Sequence, residues 1–441
     1  MNAPSEKLSL SLNFRLSAMM FLQYAIWGAW LPLLYPFLAN HHGFSNTQIS
    51  TMFAVGAIGA IFAPFIAGQV ADRYFATEKF LGISHIIGAL MVWQLASLES
   101  FSSFLIFSLL YSIVYSPTLP LTNSLAFHHI SDRDRDFGRI RVWGTVGWIV
   151  VGITIGQWLL HHHTPAEGSA DVIAAAQIKG MSDAFRLSAI VGLVMGIFCF
   201  FLPHTPPAKG LQKNASLEAL VEIKRNPLLM LFLLAVPVSC IHQFYFVHTA
   251  GFLGSFQSET ATKINAVFGV GGGGLMTIGQ MSEIFVLMAI PFIAKACSRK
   301  TLLGAGLIAY AARMALFAYV TPIHESTGIP EVAILILGTA MHGFCFGCFI
   351  FVAFMIVDEE TTGDVRASAQ SLFNLVIIGI GTIVGSYIAG GVADWATMDG
   401  AMNYTKLFSV PMWASIVCLI ILFLGYPGKK AHPRPSQAPS E

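Results

Sequence analysis

The chain has 441 residues, of which 11% are charged and 55% hydrophobic, with a formal net charge of +1 and a mean hydropathy of +0.68. So little charge cannot clothe a water-exposed surface, so the bilayer must be the solvent, and the even charge balance leaves no basic patch for nucleic acid. The 40 glycines and 20 prolines sit inside apolar runs, where they serve close helix packing and hinges rather than disorder.

Residues 1–15 are polar and the first apolar segment is long enough to stay as a span, so no cleaved signal peptide is expected. Several apolar runs reach about 20 residues, the length that crosses a hydrocarbon core of roughly 30 Å at about 1.5 Å of rise per residue. They predict an all-α membrane protein with twelve transmembrane helices, near 16–39, 46–70, 79–98, 101–127, 139–161, 184–203, 227–255, 270–295, 300–321, 329–357, 366–392 and 404–427. The polar stretch 204–226 falls at the midpoint. It divides a six-helix bundle at 1–203 from a second at 227–427, with a tail at 428–441.

Lys and Arg orient this arrangement, because cytoplasmic loops are enriched in them. Arg15, Arg73, Arg133, Arg135, Arg139, Arg141, Lys224, Arg225, Lys295, Arg299, Lys300 and Lys430 fall on the side of the N-terminus, against Lys179, Arg186, Lys263 and Lys406 on the other. Both termini are therefore expected in the cytoplasm, with an even number of helices. Gly138 precedes Arg141 by three residues at the start of helix five, and Gly363 precedes Arg366 likewise at helix eleven. This pairing fits two parallel, pseudo-symmetric repeats.

Polar groups deep in a span cost roughly 2.5–3.5 kcal/mol each and call for a function. Glu283 lies mid-way along helix eight, a candidate proton acceptor at membrane depth, with Gln280 one turn earlier on the same face. Glu283 and Arg313 are each 15 residues from Ser298, near the turn between helices eight and nine, so they sit at equal depth and are expected to approach closely. Either Arg313 tunes Glu283 during transport or the two form a permanent structural pair. On helix five, Arg141 offers five donors in a rigid fork, with Thr145 and Trp148 on the same face. Its plainer reading is an anchor at the membrane edge. On helix one, Gln23, Trp27 and Trp30 line a cavity or belt the interface. His85 and His342 read as hydrogen-bonded packing histidines or proton relays, and the tract His161, His162, His163 as a solvated loop.

Between helices two and three lies GQVADR (68–73), which together with twelve spans in two halves resembles the major facilitator superfamily. Its Gly68, Asp72 and Arg73 are expected to form a conformational latch. FLQYAIWGAW (21–30), IRVWGTVGW (140–148), QMSE (280–283), IPF (290–292), MALFAY (314–319) and VRASAQ (365–370) are similar to segments of the bacterial nucleoside:proton symporters. The helix-five segment also looks like that of the oligosaccharide:proton symporters, where the arginine contacts sugar. The resemblance implies proton-coupled nucleoside import by alternating access across the inner membrane, with a sugar or oligosaccharide symporter as the alternative. It makes Gln243 a substrate-binding glutamine; Phe346, by its residue type, either stacks on a substrate ring or packs in the membrane. Where the family has a second helix-seven asparagine and a helix-ten aspartate, this chain has Phe246 and Gly347.

No HExxH, GxSxG or mid-membrane acid pair supports an enzyme, and no metal or cofactor is expected. Cys199, Cys240, Cys297, Cys345, Cys348 and Cys418 lie in or at the ends of apolar spans, which argues against a disulfide framework. A non-transporting sensor would need a soluble domain that the loops are too short to hold. The expected partners are a nucleoside, a proton and the lipid bilayer, with the chain a monomer.

Overall fold

The computed structural model describes residues 8–66, 75–130, 133–206, 221, 223–256, 259–361 and 366–427. The latch residues Gly68, Asp72 and Arg73, the repeat marker Gly363, most of the 204–226 connection and the 428–441 tail lie outside them.

Helices dominate the described chain. The longer ones are α1 (Leu10–Trp30), α2 (Asn46–Ile66), α3 (Thr77–Leu95), α4 (Phe101–Tyr115), α5 (Arg133–His162), α6 (Ser182–Cys199), α7 (Leu228–Gly254), α8 (Gly273–Ala296), α9 (Arg299–Ala318), α10 (Glu331–Phe344), α11 (Gly381–Ala396) and α12 (Tyr404–Gly425). Side-chain caps start several of them. Ser9 accepts from the Leu12 N–H, Ser100 from Ser103, Ser298 from Thr301 and Asn403 from Lys406, each satisfying an otherwise orphaned donor of the first turn.

Among the described residues, eleven helical segments are long and apolar enough to cross a membrane. The count expected from the sequence was twelve, and α3 makes the difference. Its first turn carries Thr77, Glu78 and Lys79, and His85 and Gln94 dilute it further. The span expected at 101–127 is broken: α4 ends at Tyr115 and a separate helix, Thr118–His129, follows Pro117, whose ring removes a backbone donor. Short helices also fill three connections, Ala170–Gly180, Glu259–Phe268 and Val320–Thr327. A π-helical turn, Cys345–Phe351, joins α10 to Val352–Glu360, and another, Leu375–Ile380, leads into α11. Asp399 and Gly400, both at positive φ, turn a two-residue antiparallel ribbon between α11 and α12.

Helices before residue 204 pack chiefly on one another, α1 against α5 and α6, and α3 against α4 and α6. Those after 226 do likewise: α7 lies on α11 and α12, α8 on α10, and α9 on α10 and α12. Arg15 near the start of α1 bonds the Phe201 carbonyl after α6, and Lys300 at the start of α9 bonds the Phe423 and Tyr426 carbonyls at the end of α12. The two termini of the helical region thus share one face.

The opposite face is where the two groups join. Tyr35 Oη donates to Asn46 Oδ1 at 3.0 Å, and Asn46 Nδ2 donates to Asp394 Oδ1 at 2.8 Å. Gln157 Nε2 donates to the Ala266 and Val267 carbonyls at 2.9 and 2.8 Å, and the Val270 N–H bonds the Gly156 carbonyl at 3.1 Å. Gly156 and Gly269 make this approach possible. A Cβ on Gly156 would lie 2.7 Å from the Phe268 carbonyl oxygen, and one on Gly269, at φ +79°, only 2.0 Å from the Gly156 carbonyl carbon.

Gln23 belongs to the interior of the N-terminal group and not to a cavity wall. It has no exposed surface. Its Nε2 donates to Thr118 Oγ1 at 2.9 Å, its Oε1 meets His85 Nε2 at 2.9 Å, and its backbone carbonyl accepts from Tyr115 Oη. One amide therefore ties α1 to α3 and to the helix that follows the Pro117 break, which also accounts for His85.

Two outcomes follow from this packing. Gln23→Leu strands the His85 and Thr118 polar groups and should cost about 1–3 kcal/mol; a lowered unfolding temperature in detergent with an unchanged substrate KM is expected, and a raised KM at unchanged stability would return Gln23 to the cavity. Gly156→Leu should push the closed face apart, since overpacking costs about 1–3 kcal/mol. A cysteine placed at Thr277, a position 1% exposed, should then react with an impermeant maleimide in a cysteine-free background but stay protected when Gly156 is retained. Equal labelling would contradict the assignment.

Candidate functional site

The site begins where α5 and α8 part. These helices run antiparallel and touch at Gly152, where an added Cβ would sit 2.9 Å from Thr277 Cγ2, while Gly156, one turn on, meets Phe268 and Gly269 just before α8. From there toward the termini, α5 presents Trp148, Thr145 and Arg141 while α8 presents Gln280 and Glu283. Helical spacing of three and four residues keeps each set on one face.

On the α5 side the Arg141 guanidinium lies 4.0 Å from the centroid of the Tyr24 ring, a cation–π seat that holds it against α1. Trp148 meets Trp27 edge to face at 6.0 Å, and Trp27 in turn meets Tyr115 at 6.3 Å. Thr145 is 9% exposed. Arg141, Thr145, Trp148 and Trp27 are thus brought together, whereas Gln23, one turn from Trp27, is spent on internal hydrogen bonds.

On the α8 side Gln280 is 5% exposed, and its side-chain carbonyl oxygen is buried without a hydrogen-bond partner among the described residues. Such an orphan acceptor costs about 1–3 kcal/mol unless a donor arrives. One turn on, Glu283 keeps 13% of its side chain exposed, and its Oε2 lies 3.7 Å from Nε2 of His342 on α10. The other ring nitrogen of His342, Nδ1, accepts from Arg313 Nη1 at 3.1 Å.

Arg313 and Glu283 therefore do not meet directly, as their equal depth led us to expect. His342 stands between them. The guanidinium has no exposed surface and lies over Tyr245 of α7 at 4.4 Å and Tyr310 of α9 at 5.1 Å. Tyr310 Oη meets His242 Nδ1 at 2.7 Å, and the His242 and His342 rings stack at 5.4 Å. His342 was expected only as a hydrogen-bonded packing histidine or a proton relay, and His242, Tyr245 and Tyr310 were not among the expected site residues. A signal for two of them was present: Tyr310 precedes Arg313 by three residues and Tyr245 follows His242 by three, each pair on one helix face.

Gln243 is 6% exposed. Phe246 packs edge to face on His242 at 5.0 Å. Phe346 and Gly347 lie in the π-helical turn after α10, a backbone irregularity common at functional sites. A Cβ at Gly347 would come within 2.6 Å of Val286 Cγ1, so α8 fills the room that a carboxylate side chain there would need. The cysteine pair Cys345 and Cys348 is reduced and buried.

The family model described as "Nucleoside H+ symporter" matches residues 10–431. The Escherichia coli (strain K12) protein YegT is 34% identical over 86% of this chain and 83% of its own length. The xanthosine permease of the same organism is 27% identical over 95% and 96%. Among solved structures, that of the nucleoside transporter NupG superimposes with a TM-score of 0.79 at 25% identity, covering 95% of this chain and all of that one. A membrane chain with paired polar walls on α5 and α8, matched along nearly its whole length, belongs to the nucleoside H+ symporter family.

Proposed function

We propose that the protein imports nucleosides across the inner membrane by proton symport through alternating access. The observation that carries this reading is the buried, unpartnered Gln280 carbonyl oxygen one turn from the Glu283 carboxyl. Two acceptors at that spacing suit the vicinal hydroxyls of a ribose. The Gln243 amide supplies donors for a base or sugar, Phe346 a ring face, and Arg141, Thr145, Trp148 and Trp27 the facing wall. Phe246 narrows the hydrogen-bonding choices on α7.

In this reading α3 is the third of twelve spans, and residues 1–203 and 227–427 are two six-helix bundles rocking about the central site. The Lys and Arg distribution puts both termini in the cytoplasm. The joined face is then the outer one, closed here. Gly68, Asp72 and Arg73 act as a latch on the cytoplasmic side, and the protein works as a monomer. One charge crossing about 100 mV yields about 2.3 kcal/mol, which supports roughly fifty-fold accumulation before any pH gradient is added.

Proteoliposomes loaded at neutral pH and diluted into acidic medium should accumulate radiolabelled uridine or xanthosine, and collapse of the gradient with a protonophore should abolish accumulation. Excess maltose should not compete. Glu283→Gln should bind nucleoside but not accumulate it. Undiminished gradient-driven uptake in that variant removes Glu283 from the coupling, and failure to take up any nucleoside removes the substrate assignment.

A further inference from the structure

An intramembrane histidine beside a carboxyl invites assignment as the proton carrier. Its partners here argue otherwise. Arginine has only donors, so its bond from Nη1 to His342 Nδ1 at 3.1 Å requires a lone pair on that nitrogen. A neutral imidazole with a bare Nδ1 carries its hydrogen on Nε2, the atom that faces Glu283 Oε2 at 3.7 Å. A second proton would have to enter at Nδ1, against a guanidinium that is wholly buried and cannot give up its own.

We infer that His342 is a positioning residue, locked by Arg313 as the neutral Nε2–H tautomer, which aims a donor at Glu283 and leaves Glu283 alone to hold the coupled proton. The inference rests on the proton-symport reading of Glu283. At 3.7 Å the N–H is within electrostatic reach but is not hydrogen-bonded; it strengthens its hold when the carboxyl is ionised and loses it when the carboxyl is protonated. The other groups facing His342 agree with a neutral ring. On α7, Tyr245 stacks on it at 4.6 Å and His242 at 5.4 Å, neither placed to bond its nitrogens. From α9, Arg313 disfavours a second positive charge. Cys345, three residues further along the same chain segment, is a buried free cysteine. Facing Glu283 from α5, Arg141 is within electrostatic range and completes the set.

The tautomer can be read without transport. In protein labelled with 15N-histidine, the His342 resonances, identified by their loss in His342→Gln, should show a bare Nδ1 and a protonated Nε2 unchanged from about pH 5 to 8, the range over which an ordinary histidine titrates. A ring that titrates in that range, or one bearing Nδ1–H, overturns the inference whatever the substrate proves to be. Uptake provides the second readout. His342→Gln keeps an acceptor for Arg313 and a donor for Glu283 and should retain the wild-type pH profile. His342→Leu, expressed to the same level, should displace the profile's midpoint to more alkaline pH by about one unit, the shift of a lost charge-assisted contact. Equal profiles for the two variants would make His342 a packing residue only. If wild-type protein shows the locked tautomer yet no proton-driven nucleoside uptake, the lock stands and the symport reading fails.

Discussion

A guanidinium with no exposed surface is the constraint around which the second half of the molecule is arranged. Burying an unpaired charge costs several kcal/mol even after relaxation, so Arg313 needs its surroundings to answer it. Two tyrosine faces supply cation–π attraction, of order 1–2 kcal/mol each when desolvated, and His342 accepts one hydrogen bond. Nε and Nη2 remain buried without hydrogen-bond partners among the described residues. The nearest acid answers only through the imidazole, which makes the charge on Glu283 part of what holds α7, α8, α9 and α10 in register. In the proposed reading, a proton arriving at that carboxyl alters the electrostatic balance of this cluster, which is the kind of coupling a symporter requires.

The second element of the account is steric. Where the two groups of helices join, glycines allow backbone to touch backbone at Gly156 and Gly269, and side-chain amides span the seam at Asn46 and Gln157. Below it the facing residues are larger or charged, and the helices separate around Arg141, Gln280 and Glu283. In the proposed reading, the small residues at one end of this pair of helices form a gate, and Arg141, Gln280 and Glu283 at the middle form a binding wall. The two positions where the resemblance implies an amide and a carboxylate lie outside that pair of helices: Phe246 is on α7, and Gly347 follows α10 with Val286 of α8 in the space beside it.

Much of this could be read from the residues. Apolar length located the spans, and helical periodicity grouped Arg141 with Thr145 and Trp148, and Gln280 with Glu283. Counting from Ser298, which caps α9, placed Glu283 and Arg313 at one depth. Depth alone does not give azimuth. Which faces two neighbouring helices turn to each other depends on packing by a third, so the insertion of His342 from α10 was out of reach, as was the inward turn of Gln23 toward His85 and Thr118. Pro117 announced a break that apolar content concealed. The polar first turn of α3 lowers its apolar signal even though the helix packs between α4 and α6 like its neighbours. Length and composition thus decide whether a helix could cross a bilayer, while packing decides what it does once there.

The central claim is that a nucleoside and a proton move together because both meet at Glu283. Electrical recording from protein adsorbed on a solid-supported membrane tests it most directly, since equal pH on both sides leaves the substrate as the only driving force. A nucleoside concentration jump should drive positive charge in the direction of substrate movement in the wild type and none in Glu283→Gln. A current of undiminished size in that variant, or substrate entry without current in the wild type, would contradict the account.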